Sequence, residues 1–129
     1  MGDGTELGRV RGLGPAHEGE DAWMQQRMTA VGNLLLASFL AISLVLLPDL
    51  SYGSVLGWLK QPLPTVAMAL LVVNVFWHAR LGLGELIDDY IHDAGNKFAA
   101  LLLVRFASIA GTAFGLYFIA RIALGGAPA

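Results

Sequence analysis

The sequence predicts an all-α integral membrane protein built on three transmembrane helices. Of its 129 residues, 56% are hydrophobic and only 14% charged, against about 25% charged in ordinary soluble domains. A soluble fold cannot hide that much apolar surface, because even a domain of roughly 150 residues leaves about 30% of its unfolded-chain surface exposed. At roughly 20 residues per crossing, three spans with short connections nearly use up the chain and leave little for an extramembrane catalytic domain. The chain has no cysteine, which excludes a disulfide, cysteine-ligated zinc and a thiolate-bound iron–sulfur cluster. Any redox centre carried here must hang on His or Met. A formal net charge of -2 gives no electrostatic basis for nucleic-acid binding.

Residues 1–27 read as an irregular polar arm, broken by Gly2, Gly4, Gly8, Gly12, Gly14, Gly19 and Pro15. Asp3, Glu6, Glu18, Glu20 and Asp21 suit neither a secretory signal nor a mitochondrial transit peptide, so the arm is expected in the mature protein. Span one covers about 28–48, a run without charge. The connection Asp49–Lys60 carries Tyr52 and Trp58, residue types that favour the membrane–water boundary. Pro62 and Pro64 suit a helix entry, and span two covers about 64–90, with His78, Arg80, Glu85, Asp88 and Asp89 in its second half. A loop over Ile91–Asn96, broken at Gly95, leads into span three at about 97–124, and 125–129 form a tail. Ala107, Gly111 and Gly115 make a small-residue row that lets backbones approach closely, expected to pack on the helices of a companion chain. Arg9, Arg11, Arg27 and Lys97 fall on one side, with Arg105 just inside it, and Lys60 and Arg121 on the other. The bias puts the N-terminus and the second-to-third loop in the cytoplasm.

At 100° per residue, Gly82, Glu85, Asp89 and His92 all fall within about 40° of His78 on a helical wheel. Charged groups at depth cost roughly 2.5 to 3.5 kcal/mol each on insertion scales, so such a stripe must face protein or a cofactor. His78 lies roughly 20 Å along the helix from Pro64 at the 1.5 Å rise, near mid-membrane. An intramembrane His serves as a haem ligand, a proton carrier or a hydrogen-bonding core residue. Gly82, one turn on, leaves room either for a flat macrocycle or for a packed helix. As His78 is the one histidine within the spans, a bis-His haem would need its second ligand from another chain. Arg80 points about 200° away from His78, and Glu85 is expected to pair with Arg105. His92 and Asp93 read as a solvated loop, because consecutive residues at a helix end rarely converge on a metal.

The segment HARLGLGELIDDYIH, with His78, Gly82, Asp89 and Tyr90 in the pattern H-x3-G-x6-D-Y, resembles the smaller hydrophobic membrane-anchor subunit of bacterial succinate dehydrogenase. The stretches GRVRGLGPAHEG and QQRMTA resemble the arm and the entry into span one of that family. The resemblance implies an anchor of respiratory complex II (succinate:ubiquinone oxidoreductase) in a bacterial inner membrane, serving the tricarboxylic acid cycle and electron transport, and not catalytic alone. It implies that His78 is an axial ligand of haem b, that the other comes from a companion cytochrome b556-type anchor subunit, and that Gly82 gives the haem clearance. It further implies that Arg27 lies near the haem propionates, its alternative being a snorkelling interfacial arginine. Tyr90 and Asp89 match a pair at the ubiquinone site, where the tyrosine hydroxyl donates to a quinone carbonyl oxygen and the aspartate orders the site. Such a hydroxyl keeps its proton at neutral pH and stabilises charge gained by the quinone oxygen. The electrons must come from an iron–sulfur subunit and a flavoprotein subunit, since this chain has no site for either group. Two other readings remain at this level: a purely structural anchor, which leaves the cost of His78 and Asp89 unexplained, and a small transport component, which ordinarily shows broken helices or internal repeats. An anchor of a fumarate reductase is close in kind.

Overall fold

The computed structural model describes residues 6–7 and 16–125. From residue 16 onward they form four helices, α1 (Ala16–Val45), α2 (Tyr52–Leu59), α3 (Pro62–Tyr90) and α4 (Ala94–Ala123), and no strand occurs among the described residues. α1, α3 and α4 are each long and apolar enough to cross a membrane. With 30, 29 and 30 residues at 1.5 Å each, they exceed the ~30 Å hydrocarbon thickness, so their ends project beyond it.

The boundaries differ from the sequence expectation in instructive ways. Residues 16–27, expected to be irregular, are the first turns of α1. Only Gly19 interrupts them, and one helical glycine costs about 1 kcal/mol relative to alanine, while Glu20 and Asp21 complement the positive end of the helix. Most of the rest of the expected arm lies outside the described residues. The connection after span one folds into α2, capped by Ser51, whose side chain accepts from the Ser54 amide at 3.4 Å. The Asp49 carboxylate accepts from the Ser51 amide at 2.9 Å, and its bonds to Ser51 hold it below the usual carboxylate range. α3 begins at Pro62 rather than Pro64, as a ring that lacks an N–H tolerates the first turn. The next loop is shorter than expected, because Asp93 caps α4 by accepting from the Asn96 amide at 2.8 Å. Gly95 therefore lies inside α4, and Gly125, at φ 78°, supplies the left-handed turn after α4.

α3 is the central helix, with α1 and α4 packed against it and antiparallel to it. At one end Leu40, Trp58 and Ala67 are buried, walled by Leu36, Leu44, Val55 and Leu71. Trp58, expected at the lipid boundary, is in this core, its indole N–H donating to Ser43 Oγ at 2.6 Å. A tryptophan requires a partner for that N–H when buried, and Ser43 on α1 provides it. Between α3 and α4 the small-residue row closes on this chain's own α3. A Cβ on Gly115 would stand 2.6 Å from Val72 Cγ1, and one on Gly111 would meet the Phe76 ring. The expectation that the row packs on a companion chain is thus corrected: close approach within the chain already uses it. Elsewhere large apolar side chains such as Leu34, Val45, Leu103 and Phe114 face outward, as lipid-exposed helices require, because lipid tails are as apolar as leucine.

Gly115→Val should force α3 and α4 apart. Overpacking of this kind costs about 1–3 kcal/mol, expected as a lower melting temperature of the assembled protein and a lower yield in membranes. A parent-like melting temperature would show that the α3–α4 contact does not depend on the glycine.

Candidate functional site

Four polar residues within the spans, Thr29, Asn33, Asn74 and His78, form a two-rung clasp between α1 and α3. On the lower rung His78, half-buried, sets its Nδ1 2.9 Å from the hydroxyl of Thr29. Thr29 is 5% exposed, the most enclosed polar residue among those described. Its hydroxyl also lies 2.8 Å from the Gln25 carbonyl and 3.1 Å from that of Gln26, both on its own helix. One turn up, Asn74 donates from Nδ2 to the Thr29 carbonyl at 2.7 Å and to Asn33 Oδ1 at 2.8 Å. Thr29 with Asn33 and Asn74 with His78 are both i, i+4 pairs, neighbours on one helix face. Gly32 permits the approach, since a Cβ there would stand 2.8 Å from Asn74 Nδ2.

Beside the clasp a groove of about 480 Å³ opens between α1 and α3, lined by Trp23, Gln26, Arg27, Ala30, His78 and Glu85 among others. That is within the ~300–1,000 Å³ of ordinary ligand clefts. The Arg27 guanidinium stacks on the Trp23 ring at 5.5 Å and has no carboxylate partner among the described residues. The Gln26 side-chain oxygen is buried here without a hydrogen-bond partner. Leaving such an acceptor unsatisfied costs about 1–3 kcal/mol, and no described residue supplies the donor. Gly82 lies against Gln26, where a Cβ would sit at an ordinary 3.5 Å from the amide. Intrachain packing therefore does not demand glycine there, in contrast to Gly32, Gly111 and Gly115.

Of the residues singled out from the sequence, His78, Arg27 and Glu85 come together in this groove, with Gly82 beside it. Asp89 and Tyr90 do not line it. They lie 11 and 12 positions beyond His78, about 17 Å along the axis, at the exposed C-terminal end of α3, with Tyr90 77% accessible. His92 leaves the stripe altogether, because α3 stops at Tyr90 and Ile91 is extended (φ -108°, ψ 110°). Glu85 makes no ion pair with Arg105 among the described residues, although both line a second hollow with Arg80 and Asp88. The ion pair at this end is Lys97–Asp88 at 3.4 Å, which ties the start of α4 to the end of α3. Asn33 and Asn74 carry no expectation in the sequence, and Thr29 and Gln26 enter it only within the QQRMTA stretch, with no role of their own. Their signal was a set of amides and one hydroxyl in otherwise apolar runs, at i, i+4 from one another or from the histidine.

Comparison with known proteins identifies the family of the chain as a whole. The family described as succinate dehydrogenase/fumarate reductase transmembrane subunit matches residues 1–112. A succinate dehydrogenase hydrophobic membrane anchor subunit from Paracoccus denitrificans is 32% identical over 116 residues, 90% of this chain and 89% of that one. The protein of the same description from Rickettsia bellii is 29% identical over 106 residues, 81% of this chain and 84% of its own length. That from Rickettsia conorii is 30% identical over 102 residues, 78% and 81% of the two chains.

Proposed function

Because the chain belongs to the succinate dehydrogenase/fumarate reductase transmembrane subunit family, it is a multi-pass membrane-anchor subunit of that kind, and we propose that it supplies one axial ligand to a haem b and part of a ubiquinone-reducing site. The observation that carries the haem half is the groove itself. It holds an imidazole and a stacked arginine that has no carboxylate partner among the described residues. This donor set fits a haem: the His78 imidazole for the iron, the Arg27 guanidinium for an anionic carboxylate at the rim. Gly82 fits as clearance, since no contact among the described residues explains the missing side chain. When bound, the haem supplies one-electron transfer. The chain's own part is to hold the imidazole at depth, keep a cation at the groove mouth and wall the site with α1 and α3.

The quinone half rests on Tyr90 and Asp89 at the exposed end of α3. Reducing a quinone takes two electrons and two protons, so its site must reach both water and an electron donor. A phenol O–H at the boundary donates to the quinone oxygen as that oxygen gains charge, and the neighbouring carboxylate orders the site. The open side of this end is read as the seat of an iron–sulfur subunit and its flavoprotein, with a companion cytochrome b556-type anchor supplying the second histidine. Lys97 lies at this end and Arg27 on the same half of α1, and the positive-inside rule supports reading the end as cytoplasmic, in a bacterial inner membrane.

The test is an optical difference spectrum of the purified complex, reduced with succinate against oxidised. Haem b absorption is expected. A featureless difference spectrum in an intact, succinate-oxidising complex would leave only the anchoring role.

A further inference from the structure

The structure assigns Thr29 as the positioning residue that fixes the tautomer and orientation of His78, an inference that rests on the reading of His78 as a ligand. A threonine hydroxyl has one proton to give. Here it faces three groups: the Gln25 carbonyl at 2.8 Å, the Gln26 carbonyl at 3.1 Å and His78 Nδ1 at 2.9 Å. The two carbonyls can only accept. Were the proton aimed at Nδ1, the hydroxyl oxygen would present lone pairs to two carbonyl oxygens at contact distance. The arrangement in which every group is satisfied has the hydroxyl donating to its own helix and accepting from Nδ1–H. With the proton on Nδ1, the lone pair of a neutral imidazole lies on Nε2, the nitrogen then free to bind a metal. Were the proton on Nε2 instead, the ring could not ligate through that atom.

The second rung makes this orientation stiff. Asn74 is bonded to the Thr29 carbonyl and to Asn33, and it sits one turn from His78 on the same face of α3. Rotating or sliding α1 would break both rungs at once. Burial of Thr29 at 5% exposure excludes water as a competing partner for the ring N–H. An acceptor on the distal ring N–H raises the basicity of a ligating imidazole and favours the oxidised metal.

The test compares Thr29→Val, Thr29→Ser and His78→Ala in the complete membrane complex. Thr29→Val keeps the shape and removes the oxygen. It is expected to lower haem content per complex, raise the midpoint potential of the remaining haem and shift its low-spin ferric resonance. Thr29→Ser keeps the oxygen and should restore all three. A Thr29→Val complex with parental haem content, potential and resonance would overturn the assignment, as would a Thr29→Ser complex displaced as far as Thr29→Val. If Thr29→Val does not assemble, Thr29→Cys, of similar volume and with a poor acceptor, is read against Thr29→Ser by the same criteria. His78→Ala separates the two levels: if it keeps the haem, the ligand reading fails whatever the threonine does.

Discussion

His78→Ala is expected to abolish the haem b signal of the purified complex while the complex still assembles and still oxidises succinate with a soluble acceptor. No larger spectroscopic effect is expected from any single substitution in this chain. The imidazole is the one metal-binding side chain in the groove suited to haem iron, and no cysteine or second intramembrane histidine exists to replace it. Truncation to alanine also leaves the Thr29 hydroxyl bonded to the Gln25 carbonyl, so the helix is not left with an unsatisfied group. The change should therefore read out on the haem before it reads out on the fold. An unchanged spectrum would refute the ligand assignment and return His78 to the role of a hydrogen-bonding core residue that clasps α1 to α3.

Tyr90→Phe is expected to slow succinate–quinone turnover by about ten- to a hundred-fold. That follows from the ~1.5–3 kcal/mol typical of a hydrogen bond to a charged group, at 1.4 kcal/mol per factor of ten. Succinate oxidation by a soluble acceptor should be largely retained, because that activity does not need the quinone. Tyr90 is 77% exposed, so removing its oxygen opens no cavity within the chain and disturbs no packing. Equal loss of both activities would instead indicate failed assembly, and unimpaired quinone turnover would exclude the hydroxyl as the donor.

Much of the fold was legible because hydropathy and helix-stop residues act locally. The uncharged run after Met28, Pro48, Pro62 and the second and third apolar segments were enough to set three spans in order. Errors arose where a residue's fate depends on what lies across from it. Trp58 looked interfacial by type, yet a serine on α1 receives its N–H and draws it inward. Gly111 and Gly115 looked like a surface for another chain, yet α3 of the same chain fills them. Within the site, the stripe on α3 was readable from its angular spacing, whereas Gln26 and the Thr29–Asn33 face of α1 were not.

The sequence by itself determined that this chain lives in lipid and that His78 and Tyr90 stand out within or beside its spans. Those properties are sums over neighbouring residues and need no knowledge of packing. Only the tertiary structure decided that Thr29, 49 positions away, is the partner of His78, and that Arg27 and Gln26 share its groove while Asp89 and Tyr90 do not. The physical reason is that a helix periodicity fixes which residues share a face but not the rotation and sliding of one helix against the next. Contacts between Asn74 and Gly32, and between Val72 and Gly115, set that register, and with it which groups face His78.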